Sequence, residues 1–372
     1  MCGIIAFLFL LCPINSTAQE TGADNIGFYS STESFVDVVG GTDYVYLAQQ
    51  GVDDAALVVI NVSNPSTPSF VGKGGRPQDH TIKCVDVNED ENIAVLGAST
   101  FLYVFNISEK TSPNRTDTIN VGGTVNDVKI VGDLVYCTAM GDGLPVVNIS
   151  DIYDLKLAYN GHFNGYSGIN CYDIAYDGNT DRIYASGGYY FLVFELNSSK
   201  LPEQNPKFLT LTGNTMSSVE QLSNTRVAAG DSYGITWIID ISDINNLASL
   251  GSVDVGSWSY EIVYNDSFNN KMLIADYTSG LEVVDFSSES SPSAIREMGH
   301  TTSGIVGSSV DTFNSYALLA AGSHGLLIYN LSDCLKSIND DTGIPGFNLL
   351  LILTLLGITT IGLAYHKKKT TK

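Results

Sequence analysis

The sequence predicts an all-β fold, a seven-bladed β-propeller of four-stranded antiparallel blades, followed by one C-terminal transmembrane helix. Three observations carry this. An apolar strand ending in Asn, Asp or Glu recurs with its last residue at Asn61, Asn106, Asn148, Glu195, Asp240, Asp285 and Asn330, at spacings of 45, 42, 47, 45, 45 and 45 residues. A repeat near this length is that of a propeller blade. The composition agrees: 36 Gly, 20 Tyr and only 16 % charged residues leave little material for amphipathic helices, and 44 % hydrophobic content is too high for a disordered chain. Finally, residues 347–365 form an uncharged apolar run.

Residues 1–18 read as a signal peptide. The run Ile4 to Leu11 is too short to span a bilayer, and Ser16 and Ala18 supply the small residues needed before a cleavage site. The rival reading, a lipid anchor at Cys12, is opposed by Leu10 and Leu11 where small residues are required. Residues 19–342 form the propeller. Each unit opens with an acid-plus-apolar strand such as Val36-Asp37-Val38-Val39, turns through residues such as Gly40-Gly41-Thr42-Asp43, and continues in a second strand such as Tyr44 to Ala48. The recurring strand is third; Ser/Asn/Pro turns such as Ser63-Asn64-Pro65 lead to a short fourth strand such as Phe70-Val71-Gly72. The seventh unit lacks a fourth strand, so the segment at 26–30 is expected to supply it and close the ring, which removes an exposed sheet edge.

Residues 343–366 contain the transmembrane helix. The 19 residues from Phe347 to Tyr365 rise about 28 Å as a helix, close to the ~30 Å hydrocarbon thickness. The basic tail at 367–372 places the C-terminus in the cytoplasm and the body outside, making a single-pass cell-surface protein. Of the 18 Lys and Arg, four lie in that tail, which leaves 14 against 40 Asp and Glu, a net −26 on the body. Such a surface repels nucleic acid and attracts cations or basic partners.

The strand ends and the residues just after them, as in Ile239-Asp240-Ile241-Ser242 and Val59-Ile60-Asn61-Val62-Ser63-Asn64-Pro65, resemble the LVIVD repeat over residues 26 to 335. The resemblance implies a β-propeller in a surface or secreted protein and assigns no catalytic residues. Ile344-Pro345-Gly346-Phe347 with its hydrophobic stretch resembles the Pro-Gly-Phe tails of archaeal surface proteins, although the Thr-rich stalk that usually precedes them is missing. That likeness implies an archaeal origin, with the tail either kept as a plain anchor or exchanged for a lipid.

Each first strand carries one acid: Asp37, Asp86, Asp127, Asp173, Glu220, Glu261 and Asp311. Lining a channel at one level, these would form a ring that binds a cation or basic peptide, or would satisfy backbone donors between blades. Two hairpins place oxygen ligands on alternate residues, Asp86, Asn88, Asp90 and Asp177, Asn179, Asp181, a calcium-like order that Asx turns also produce. His162 and His300 occupy matching sites, and no His-Glu-x-x-His or Cys-x-x-Cys motif is present. Cys84, Cys137, Cys171 and Cys334 read as buried thiols. Among seven Asn-x-Ser/Thr sequons, Asn114 and Asn265 fall in loops and are the glycosylation candidates. Three functions compete. The first is an anchored binding or scaffold module for protein or glycan ligands, without catalysis or cofactor. The second is an extracellular hydrolase or lyase using channel carboxylates with His162 or His300. The third is a calcium-stabilised propeller.

Overall fold

The computed structural model describes residues 25–51, 56–75, 80–162, 169–211, 213–298 and 306–335. The chain divides into two compact units, Met1–Leu335 and Lys336–Lys372, and every described residue belongs to the first. The segment read as a signal peptide, the apolar segment at 343–366, the residues resembling a Pro-Gly-Phe tail and the basic tail lie outside the described residues. Among the described residues no helix is long and apolar enough to cross a membrane.

Seven four-stranded antiparallel sheets make the expected propeller. The inner strands, which line the central channel, are Ser34–Gly40, Ile82–Asn88, Thr124–Val131, Cys171–Asp177, Met216–Ser223, Ser259–Val263 and Ser309–Phe313. Each of the seven residues picked out by the repeat is the last residue of a third strand. The side chain explains why the strand stops there. Asn61 Oδ1 accepts hydrogen bonds from the Ser63 N–H (3.0 Å) and hydroxyl (2.6 Å), and Asn148, Asp285 and Asn330 hold Ser150, Ser287 and Ser332 in the same way. The carboxylate or amide turns the backbone out of the ladder.

The middle strands are unbroken apolar runs because both faces of a blade are covered. In the first blade Val45, Leu47, Val58 and Ile60 pack on Leu318, Ala320, Leu326 and Ile328 of the seventh. The alternate residues Tyr46, Ala48, Leu57 and Val59 pack on Ile82, Leu96 and Phe105 of the second. Period-two alternation thus divides one strand between two inter-blade cores.

The ring closes as the sequence predicts. The strand Gly27–Tyr29 is the fourth strand of the seventh blade, antiparallel to Leu326–Asn330 with Gly27 opposite Ile328 and Tyr29 opposite Leu326. The Ile26 N–H adds a bond to Ile328 O at 2.8 Å. After Asn330 the chain makes one short helix, Leu331–Cys334, whose Leu331 and Cys334 are buried.

Candidate functional site

The seven first-strand acids do not lie at one level, which corrects the expectation from their spacing. Asp37, Asp127, Asp173 and Glu261 pair with Ala48, Thr138, Ser186 and Ala275, each the fifth residue of its second strand. Asp86, Glu220 and Asp311 pair with Val95, Ala228 and Leu318, each the third. β-Bulges set the difference. In the first group the ladder shifts immediately before the acid, between Phe35 and Asp37 for example. In the second and fifth blades it shifts two residues earlier, and in the seventh not at all. A bulge inserts one residue and re-aims its successors. The result is an upper tier of four carboxyl groups and a lower tier of three, two strand positions or about 6–7 Å apart.

Every one of these groups also fastens two blades together. Asp37 accepts from the Val85 N–H at 2.6 Å, Asp86 from Ile130 (2.6 Å), Asp127 from Ile174 (3.2 Å) and Asp173 from Val219 (2.7 Å). Glu220 accepts from Tyr264 (3.3 Å), Glu261 from Val310 (3.1 Å), and Asp311 from Gly40 (2.8 Å), which completes the circuit. Buried N–H groups at the blade junctions need such acceptors.

Enclosure in the channel makes ionisation of these groups expensive. Desolvation, with the field of Asp127 second, lifts Asp37 to about 7; desolvation lifts Asp173 to about 6 and Glu220 to about 7. Asp127 and Glu261 are held well above the ordinary carboxylate range, again mainly by desolvation and then by neighbouring carboxylates. Asp127 and Asp173 are hydrogen-bonded to one another, which keeps a proton on Asp127. The lower tier has its own cation. Lys129 stands in a 190 Å³ cavity that all seven acids line, where Asp86, Asp311 and Glu220 act on it most strongly, and it is open to the lumen although protein surrounds it. Those carboxylates, Asp86 foremost, raise its pKa despite the opposing effect of burial.

Above the upper tier the channel widens into a 540 Å³ mouth walled by Tyr172, Trp258, Tyr260, Tyr277 and Met140, with Lys83 among its lining residues. Trp258 and Tyr260 stack with centroids 5.1 Å apart and planes at 7°, and Tyr277 leans on Tyr260 at 5.8 Å. The Trp258 Nε1–H is buried without a hydrogen-bond partner among the described residues. Around the same face, hairpins between second and third strands of three successive blades present Tyr189, Tyr233 and Tyr277, which are 51 %, 69 % and 47 % exposed. Buried Asp231 and Asp276 stiffen two of these hairpins. Asp231 Oδ1 accepts from the Tyr233 and Ile235 N–H groups at 2.9 Å, and Asp276 Oδ1 from Thr278 and Ser279 at 2.8 and 2.7 Å. Nothing in the motifs predicted this aromatic arc, although its two intervals of 44 residues were available as a signal.

A model of the LVIVD repeat matches residues 36–73, 122–160 and 272–300, that is, most of the first and third blades and the outer three strands of the sixth. No curated protein matches the chain. Among solved structures, a chain of a mitotic checkpoint complex is similar with a TM-score of 0.62 at 12 % identity, covering 89 % of this chain and 99 % of that one. The WD40 β-propeller domain of Doa1 is similar at 0.61 and 11 %, covering 82 % and 95 %. The β-propeller domain of Cps50 (Swd1) from Myceliophteria thermophila is similar at 0.60 and 9 %, covering 82 % and 99 %. At these identities the likeness is one of fold.

The remaining candidates fall elsewhere. Asp177 is fully buried, and its carboxylate accepts from the Asn179 and Thr180 N–H groups, the Thr180 hydroxyl and the Tyr184 hydroxyl, while Asp181 pairs with Lys200. Asn179 donates to Asn224. Asp86 belongs to the channel, and Asn88 caps its hairpin at the Glu91 N–H, with Asp90 exposed beside it. No group of three or more His, Cys, Asp or Glu suited to a metal ion occurs among the described residues. His162 Nε2 lies 3.4 Å from Asp142 on a neighbouring hairpin and is not among the residues lining the channel; His300 lies outside the described residues. Asn114 is exposed at the start of an outer strand, and Asn265 caps a short 3-10 turn through Ser267. The four body cysteines are buried free thiols.

Proposed function

We propose that this chain is an exported binding module, tethered at the cell surface by its C-terminal apolar segment, which recognises protein or glycan ligands on the face where the channel widens. One observation carries the binding reading: a 540 Å³ aromatic-walled mouth includes the exposed Tyr277, and hairpins of the two preceding blades present Tyr189 and Tyr233 on the same face. Rigid aromatic side chains give contact area at small entropic cost, and their hydroxyls add hydrogen bonds. The tether rests on the uncharged run from Phe347 to Tyr365 and the lysines beyond it.

The test uses the full chain, solubilised in detergent, as bait for cell-surface extracts. A Tyr233→Ser/Tyr277→Ser double variant should lose its captured partner. Tyr153→Ser should keep it, because Tyr153 is equally exposed, at 64 %, but lies in a third-to-fourth-strand connection on the opposite face. Equal capture by both variants would overturn the assignment of the face.

A further inference from the structure

The two tiers of the channel differ in one respect that points to a ligand. Around the lower tier the protein supplies its own ammonium group, Lys129, among Asp86, Glu220 and Asp311. The upper tier holds four carboxyl groups, Asp37, Asp127, Asp173 and Glu261; Lys129 lines the cavity beneath them but interacts with Asp86, Asp311 and Glu220 before Asp127, so its charge serves the lower tier first. Lys83 lines the mouth, exposed, and makes no ion pair with a described residue. Directly above the upper tier stand Trp258 and Tyr260, stacked at 5.1 Å, with Tyr277 beside them. Aromatic walls over carboxylates form a pocket suited to an alkylammonium ion, which gains from ring quadrupoles and from charge together. An inorganic cation fits less well, because four of the acceptor oxygens already hold backbone N–H groups of the next blade and the stacked aromatic walls favour an ion with an alkyl stem.

We infer that the channel mouth binds a primary alkylammonium group on an extended chain, docked between Trp258, Tyr260 and the upper-tier carboxyl groups, above the level at which Lys129 offsets the lower-tier acids. This rests on the mouth being the ligand face, and it adds the chemistry of the ligand. The ammonium has two sources, a free linear polyamine or a lysine side chain of a partner protein, and the pocket reads what they share.

Spermidine and a short lysine-containing peptide are titrated into the full chain in detergent at pH 7.5 and 150 mM salt, by calorimetry and by tryptophan fluorescence. The chain has two tryptophans, so Trp237→Phe isolates the signal of Trp258. Saturable one-to-one binding of at least one probe is expected, with quenching of Trp258, and no binding of a neutral diol of matched length. Whichever probe binds more tightly identifies the source. Trp258→Leu should weaken binding about tenfold. Lys83→Gln, which leaves the tiers intact, should tighten it severalfold, so the inference stays exposed to test even if a tier variant such as Glu261→Gln unfolds. Diffuse counterion association with the acidic surface would be unchanged by Trp258→Leu, and that result, or no saturable binding of either probe, overturns the inference. If neither probe binds while capture of a partner still depends on Tyr233 and Tyr277, the ammonium chemistry fails and the binding face survives. If capture is also indifferent to those tyrosines, both fail.

Discussion

Ring closure hangs on a glycine, and one added methyl group tests it. A Cβ on Gly27 would sit 1.8 Å from the Pro65 carbonyl oxygen, a backbone atom of the first blade. Real Cβ contacts begin near 3.0 Å, so the closing strand must move away by roughly 1.2 Å. The Ile26 N–H bond to Ile328 O, now 2.8 Å, would then stretch to roughly 4 Å and cease to be a hydrogen bond. The neighbouring ladder bonds of Gly27 and Tyr29 are strained with it. At about 1 kcal/mol for each of two or three bonds, Gly27→Ala should cost about 2–3 kcal/mol. Unfolding entropy near 2 cal/mol/K per residue over the folded body converts this to a fall of roughly 3–5 °C in Tm. Gly75→Ala is the control, because a Cβ there meets nothing within 4 Å. Differential scanning calorimetry of the full chain reads both. Gly325→Ala should repeat the loss from the other side, since Gly325 has φ +93° and its Cβ would meet Tyr29 O at 2.1 Å. If Gly27→Ala melts with the Gly75→Ala control, the closing strand does not lie against Pro65 and the reasoning fails.

The channel makes stability depend on pH with a definite sign. Asp37, Asp173 and Glu220 have folded values of about 7, 6 and 7, above ordinary values of 3.8, 3.8 and 4.5, so between those limits the folded chain holds protons that the unfolded chain has lost. Their contribution is complete below about pH 4 and is lost as pH rises through 6 to 7, so Tm should be higher at pH 5.5 than at pH 8; a Tm that climbs over this interval refutes it. Asp37→Ala removes the acceptor of the Val85 N–H and should destabilise by about 1–3 kcal/mol in denaturant unfolding at pH 5, where the lost charge does not matter. Lys129→Met leaves three lower-tier carboxyl groups without their cation and should destabilise by about 2 kcal/mol at pH 8 and less at pH 5, as read by the difference in Tm between the two. Calcium should leave the melting midpoint unchanged relative to chelator, because the Asp177 carboxylate already accepts four hydrogen bonds within its own blade; a rise of several degrees would instead support the calcium reading.

The blade count, the end of every third strand and the closing strand were all legible in the sequence, because each is written locally. Asn61 and five of its six counterparts end a strand by accepting from the backbone N–H two residues on, and after Glu195 it is Asn197 that does so, a device that acts within a few positions and therefore repeats with the chain. The closing strand was found by subtraction, since the last unit lacked a partner for Leu326–Asn330. The level of each channel acid was not legible. Asp37 and Asp86 are flanked alike in sequence, but a bulge beside Asp37 and one two residues before Asp86 put them on different tiers. Bulges are settled by pairing between strands and by the packing of one blade on the next, which no single strand encodes. The same holds for the mouth: Trp258 and Tyr260 come from the sixth blade and Tyr172 from the fourth, and Lys129 of the third shares a cavity with Asp86, Glu220 and Asp311 of three others. A propeller brings its inner strands together only when the ring closes, so sequence specifies the blades, and tertiary structure decides what they surround.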